Sequence, residues 1–300
     1  MRMNGTKGLL RKIAHIPERL YKTLTINDTL DRDAVDLSIV AIIKNEGQYI
    51  EEWVRYHIVA GVQKFYLYNN DSSDNTEEVL KKYIDAGYVN LIPFPGVAMQ
   101  LLAYNDAIYR FKHKTRYMAI IDADEFLYSC NKSMSVRDEV ADIFSSFPQA
   151  GGIAVNWRMF GSSGLLKKPI GGGVLDNFLY RAKEDGKGNN CIKTIVNPRR
   201  VYKYEHVHFP TYLMGFYSVD ENGNKVNGWS NEVVEINKIR INHYFTKSKE
   251  EWIVRRSMGK ADYKDRSQIR TLQEFEEHDN NDIYDNGMLF YVDKMKELNI

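Results

Sequence analysis

The sequence predicts an α/β fold: a doubly wound, mostly parallel sheet joined to a more mixed, loop-rich half. Two observations predict it. Apolar runs and helix-period segments alternate four times between residues 37 and 130, the pattern of strands joined by crossover helices. The run YMAIIDADEFL (117–127) then closes an apolar strand on three acids, which suits the carboxyl edge where open α/β sheets bind ligands.

The elements follow in order. LSIVAIIK (37–44) is almost continuously apolar, as expected of a strand buried on both faces. EGQYIEEWVRYHIVAG sets Ile50, Trp53, Val54, His57 and Ile58 along one side of a helix that Gly61 ends. KFYLYNN is the second strand, DSSDNT a turn and TEEVLKKYIDAG the next helix. YVNLIPF makes the third strand, LLAYNDAIYRFKHK a third helix, and YMAIIDADEFL the fourth strand. Beyond residue 130 the rhythm changes. SVRDEVADIFSSF reads as a helix and GGIAVNWRMFG as a strand with an aromatic end. The glycines of GSSG (161–164) and GGG (171–173) suggest a mobile loop near a ligand. A helix DNFLYRAKE is expected after them, and the tail NDIYDNGMLFYVDKMKELNI ends in an amphipathic helix. The predicted organisation is a basic amphipathic segment (1–36), a nucleotide half (37–130) and a substrate-facing half (131–300), the two halves forming one continuous domain.

Composition excludes several classes. Apolar residues make up 43% of the 300, ample for a core, and a formal net charge of +1 leaves no cationic excess for gripping nucleic acid. Cys130 and Cys191 form no close pair, so no zinc knuckle, redox motif or disulfide framework is expected, and a reducing cytoplasm is the expected location. No apolar run approaches the ~20 residues of a membrane span, and no signal-peptide core opens the chain. Near the N-terminus Leu9, Leu10, Ile13, Ile16 and Leu20 interleave with Lys7, Arg11, Lys12, Arg19 and Lys22. Such a segment lies either on an anionic membrane surface, as a peripheral contact at the inner face, or against the body of the protein; Pro17 interrupts it.

Asp122 and Asp124 are two apart, so in extended chain their side chains share one face. Together they repel, which calls for a divalent cation or for pairing with Lys or Arg. A metal held by few carboxylates suits the phosphates of a nucleotide, and points to a nucleotide-using enzyme. Other polar groups are expected at the same edge. Lys44, Asn45 and Glu46 leave the first strand, where Asn45 either meets a nucleoside or caps the next helix. Asn70 and Asp71 leave the second, with Asp74 as a helix cap. His206 and His208 of YEHVHFP, or His243 of INHYFTKS, supply a further metal ligand; strand alternation would turn His206 and His208 to opposite sides. Lys193, Lys247, Arg255 and Arg256 gather in the later half, and Lys247, in its aromatic and hydroxyl context, is the one expected to face a departing diphosphate. Trp157 and Phe160 either stack on a sugar ring or pack in the core.

Taken together these segments resemble the bacterial glycosyltransferases of the family-2-like, family-92-related group, which have a GT-A fold. The resemblance rests on KNEGQYIEEWVRYHIVAGVQKFYLYNNDSSDNT, YMAIIDADEFL, WRMFGSSG, KTIVNP, HVHFP and INHYFTKSKEEW, in order across residues 37–262. It implies a GT-A-like sheet, a nucleotide-sugar donor (a uridine diphosphate sugar favoured), manganese or magnesium, and inversion at the anomeric carbon. It also implies a glycan or glycolipid acceptor, as in lipopolysaccharide or capsule synthesis, held by residues 131–300 while residues 37–130 hold the donor. Carried to this chain, Asp122 contacts the ribose or a metal-bound water, and Asp124 binds the metal. Asn45, Glu46 and Asp71 fall in the nucleoside pocket, and His208 or His243 completes the metal site. Inverting transfer requires a base for the acceptor hydroxyl. Asp176 is the candidate, with Glu205 and Glu232 as alternates, although Asp176 also suits a helix cap. Two other readings stand beside this one. A sugar nucleotidyltransferase would need a glycine- and lysine-rich phosphate loop that KNEGQY cannot make. A non-catalytic glycan-binding protein would not need the intact acidic run.

Overall fold

The computed structural model describes residues 17–257 and 271–300. The apolar and basic positions from Lys7 to Ile16, and the side chain of Arg256, lie outside the described residues. A short helix α1 (Glu18–Leu24) precedes the alternating half: β1 (Val35–Ile43), α2 (Ile50–Val59), β2 (Lys64–Asn69), α3 (Thr76–Asp85), β3 (Val89–Pro93), α4 (Gln100–Phe111) and β4 (Thr115–Ile120). Next come β5 (Glu125–Ser129), α5 (Val136–Ser146), β6 (Ala150–Met159), α6 (Val174–Asn177), β7 (Tyr180–Arg181) and β8 (Ile192–Val196). The last third holds β9 (Val201–Tyr204), β10 (Pro210–Tyr212), β11 (Tyr217–Val219), β12 (Lys225–Val226), β13 (Ile239–His243), α7 (Lys249–Ser257), α8 (Leu272–His278), β14 (Ile283–Tyr284) and α9 (Leu289–Lys296).

The main sheet runs β12-β11-β6-β8-β4-β1-β2-β3, with β13 beside β6 and β5 beside β13. The four expected strands lie parallel in the order β3-β2-β1-β4, with Val40 opposite Tyr66 on one side and Ile120 on the other. Their apolar continuity has the expected cause: Ile39, Val40, Ala41, Phe65, Leu67, Met118 and Ala119 are all fully buried, between helices on the two faces. The second half is mixed, as the sequence suggests. β8 is antiparallel to both β4 and β6, and β13 is parallel to β6. The carboxyl ends of β1, β2, β4, β6 and β13 therefore share one edge with the amino end of β8.

Three local expectations are corrected. The run YMAIIDADEFL is not one strand: β4 stops at Ile120, residues 121–124 turn, and Glu125 opens β5, which pairs antiparallel with β13. Apolar residues on both sides of the acids concealed that break. The helix DNFLYRAKE shrinks to the single turn α6. The amides of Leu179 and Tyr180 donate to Ser163 Oγ and the Tyr180 carbonyl accepts from Gly161, so the chain is drawn into β7 instead. His206 and His208 occupy a bend between β9 and β10, their rings 5.2 Å apart, so they do not alternate across a strand.

β5 pairs with β13 along one edge only, and α2 covers the other. Trp53 Nε1 donates to the Glu125 carbonyl at 2.8 Å, Tyr56 Oη donates to the Leu127 carbonyl at 2.6 Å, and the Leu127 amide donates to His57 Nε2 at 3.2 Å. A strand edge that would otherwise bury unpaired backbone groups is thus satisfied by three side chains of one helix face. Those contacts fix the strand that begins at the acidic turn.

Candidate functional site

The shared edge gathers the site from both halves. Five described residues other than glycine have positive φ, and Asn45 (56°), Asp71 (55°) and Lys247 (51°) are three of them, all at this edge. Strained backbone of this kind collects at functional sites, although Asn and Asp tolerate it readily. The loops after β1 and β2 lock together. Asn45 Oδ1 accepts the Ser73 amide, the Glu46 amide donates to Thr76 Oγ1, and the Gly47 amide donates to Asp74. Asn45 therefore does not cap α2, whereas Asp74 accepts the Thr76 amide in the first turn of α3. Asn70 Nδ2 donates to the carbonyls of Phe94 and Gly96, so it too braces the rim. Lys44 and Asp71 are exposed there.

The acids of the turn part company. Asp122 Oδ2 meets Lys193 Nζ at 2.8 Å, and its Oδ1 accepts from Gln100 and Tyr104 on α4. Lys193, at the amino end of β8, is fully buried and also lies 3.8 Å from Glu125. Burial works to discharge this ammonium, but Asp122 and then Glu125 hold its pKa well above the usual lysine value. One cation thus faces two carboxyls. Glu125 accepts the Asp122 amide through Oε2, and burial pushes its pKa well above the carboxylate range against the pull of Lys193.

Asp124 points elsewhere. Its Oδ1 lies 3.5 Å from His243 Nε2, and its Oδ2 is 3.0 Å from Arg255 Nη2. Burial alone would raise its pKa, yet Arg255, aided by His243, holds it well below the carboxylate range. His243 ends β13 directly opposite Glu125, with Trp157 packed on its ring at 4.3 Å. His208, by contrast, sits on the Asp122 side. Its Nδ1 lies 2.7 Å from the Ile192 carbonyl, and burial together with Lys193 pulls its pKa down to about 4. Of the two histidines, His243 is the one brought to Asp124.

Helix α7 and the residue Lys247 just before it supply the cations. Ser248 and Glu251 form a reciprocal cap at its start, and Arg255 follows Glu251 one turn later, facing the same way. Glu251 Oε1 also accepts from Tyr49 Oη at 2.6 Å, and Lys247 Nζ sits 4.5 Å above the Tyr49 ring. Burial lowers the Lys247 pKa against the pull of Glu46, while burial raises that of Glu46 against Lys247 and Arg255.

Among the candidate bases, Asp176 at α6 accepts the Gly173 amide through Oδ1, as a helix-start acid does, and remains exposed. The next two amides, Val174 and Leu175, donate to Glu52 of α2, whose pKa burial raises to about 7. A Cβ on Gly173 would sit 2.0 Å from that Glu52 carboxylate, so any other residue there would push the Glu52 side chain from its place. Glu205 is a surface residue paired with Lys203 and Thr211, and Glu232 is exposed in the connection between β12 and β13. Neither of these two is brought to Asp124. The GSSG segment is held in place, not loose: the Ser162 and Ser163 amides donate to Asp279 and Asn281. Phe160 is core, whereas Trp157 bridges His208 and His243 at the site.

A carboxylate oxygen and an imidazole nitrogen 3.5 Å apart make a donor pair that magnesium or manganese accepts when phosphates and water complete the shell. Among the described residues no group of three or more His, Cys, Asp or Glu side chains forms a protein-only metal cage. Asp124 and His243 together offer a cation two donor atoms. Lys193, Gln100 and Tyr104 were not picked out from the sequence as site residues. A lysine inside the apolar run CIKTIV was the available signal.

A family model described as glycosyltransferase family 92 matches residues 40–283. A glycosyltransferase family 92 protein of Oryza sativa subsp. japonica is 24% identical over 270 residues, covering 88% of this chain and 45% of the relative. Another, from Ricinus communis, is 28% identical over 138 residues, 46% of this chain and 25% of that one. Galactan beta-1,4-galactosyltransferase GALS2 of Arabidopsis thaliana is 31% identical over 96 residues, 29% and 18% of the two chains. The chain spans less than half the length of these curated relatives. Among solved structures, S. aureus TarS 1-349 aligns at 14% identity with a TM-score of 0.36, covering 54% of this chain and 47% of that one, a likeness too slight to carry an argument. The family match, by contrast, runs through the acidic turn, β8 and β13 alike, and on that ground the chain belongs to glycosyltransferase family 92.

Proposed function

We propose that this protein transfers a sugar, with inversion, from a nucleotide-sugar donor to a glycan acceptor, with a divalent cation bound between Asp124 and His243. The observation that carries the reading is the convergence of those two side chains, 3.5 Å apart, beside Arg255 at the carboxyl edge of the sheet. When bound, manganese or magnesium acts as a Lewis acid on the diphosphate leaving group. Arg255 and Lys247 add fixed positive charge where the diphosphate departs. Asp122, held by Lys193, Gln100 and Tyr104, offers a rigid acceptor to ribose hydroxyls, and the loops bearing Asn45, Glu46 and Asp71 wall the nucleoside. Asp176 takes the proton of the acceptor hydroxyl. The name of the Arabidopsis relative, a galactan beta-1,4-galactosyltransferase, supports a hexosyl donor, with galactosyl first in line, and uridine is the favoured nucleoside.

The setting we propose is the cytoplasmic face of a membrane, in synthesis of a cell-surface polysaccharide or lipopolysaccharide. Among the described residues no helix is long and apolar enough to cross a membrane. Peripheral contact is supported by the basic N-terminal segment and by Tyr21 and Leu24, which α1 leaves exposed. The test is incubation with a panel of nucleotide sugars and manganese, following nucleoside diphosphate release. One donor should be hydrolysed slowly without acceptor and faster with it. Release from no donor would overturn the reading.

A further inference from the structure

Each acid of the turn is already paired with a cation from the second half. Lys193 holds Asp122 and Glu125, and Arg255 holds Asp124. A free divalent ion arriving between Asp124 Oδ1 and His243 meets a carboxylate whose other oxygen Arg255 already holds, and among the described residues it finds one further ligand there, His243. A nucleoside diphosphate changes that balance, because its oxygens supply more ligands and give the guanidinium another anion. Arg255 is suited to that exchange. It is anchored a second time, by Nη1 to the Phe245 carbonyl at 3.2 Å, so it can leave one carboxylate oxygen without losing its place. Its helix is fixed by the Ser248–Glu251 cap, and Glu46 keeps it in negative surroundings.

We infer that Arg255 reserves Asp124 for a cation arriving with a nucleotide, so that the site selects the metal–nucleoside diphosphate complex over the free metal. The inference rests on the donor and metal reading above. It makes metal and nucleotide binding strongly coupled, each raising affinity for the other by the same factor. It also assigns Arg255 two opposite effects: it opposes binding of bare metal and favours binding of the complex.

The test is a manganese titration of the full chain, following the electron paramagnetic resonance signal of the free ion, with and without uridine diphosphate. Wild type, Arg255→Gln and Arg255→Lys are compared. Without nucleotide, Arg255→Gln should bind manganese about tenfold more tightly than wild type, with Arg255→Lys between them. Uridine diphosphate should tighten manganese binding to wild type far more than to Arg255→Gln. Equal or weaker binding by Arg255→Gln overturns this inference alone. So does a wild-type affinity for manganese that nucleotide leaves unchanged, a result that needs no variant. Failure of manganese to bind any of the three with nucleotide present overturns the metal reading as well.

Discussion

Replacing His57 by leucine probes the support beneath the acidic turn, and its cost should depend on pH. His57 is fully buried on α2, with Nδ1 2.8 Å from the Trp53 carbonyl and Nε2 accepting the Leu127 amide at 3.2 Å. Leucine fills similar space but leaves the Leu127 amide without its partner, while the Trp53 carbonyl keeps its helix bond and loses only the ring donor, a loss of about 1–3 kcal/mol at pH 7. Burial holds the His57 pKa down to about 3, against about 6.5 in the unfolded chain. The sign follows. Below pH 6.5 the unfolded wild type takes up a proton that the folded one refuses, so this position loses stability as pH falls towards 3. At pH 4.5, two units below the unfolded value, the loss is about 2.7 kcal/mol. The leucine variant has no such loss. Carboxyls such as Glu52 and Glu125 titrate in both proteins and cancel in the difference. Urea unfolding followed by circular dichroism at pH 7 and pH 4.5 should therefore show the gap between the proteins nearly closing at the lower pH. A gap that stays constant or widens would refute a buried, neutral His57 as the clamp on β5.

Three further substitutions separate structural from chemical roles. Lys193→Met leaves Asp122 and the buried Glu125 without their cation and should cost about 3–5 kcal/mol in unfolding free energy; an unchanged thermal midpoint would contradict the shared ion pair. Asp176→Asn should lower turnover by about 10²–10⁴ with nucleotide affinity intact, while Glu205→Ala on the exposed hairpin should change neither. The reverse pattern would move the base to Glu205.

Much of the alternating half was legible because buried parallel strands must be continuously apolar, and LSIVAIIK and KFYLYNN are. The location of the acidic turn was legible for the same reason: an apolar strand that ends in acids can only end at an edge. What surrounds the acids was not legible. The acids' repulsion calls for a cation, but Lys193 is 71 residues from Asp122 and Arg255 is 131 from Asp124, and nothing local to the motif picks out either one. Strand alternation misled at His206 and His208 because a bend, not a strand, carries them. His243 could not be preferred over His208 until the parallel pairing of β13 with β6 set its end at the same edge as Asp124. The helix expected at Asp176 failed because Ser163, thirteen residues earlier, draws the Leu179 and Tyr180 amides away.

Equilibrium binding of uridine diphosphate, with manganese or with chelator, to wild type and to Asp124→Ala is the most direct test of the central claim. Wild type should bind the nucleotide in manganese and at least tenfold more weakly in chelator, as expected when one metal bridge is lost. Asp124→Ala, still folded, should bind weakly under both conditions. Binding to wild type that ignores chelator, or manganese-dependent binding that survives in Asp124→Ala, would contradict a donor site built on Asp124 and His243.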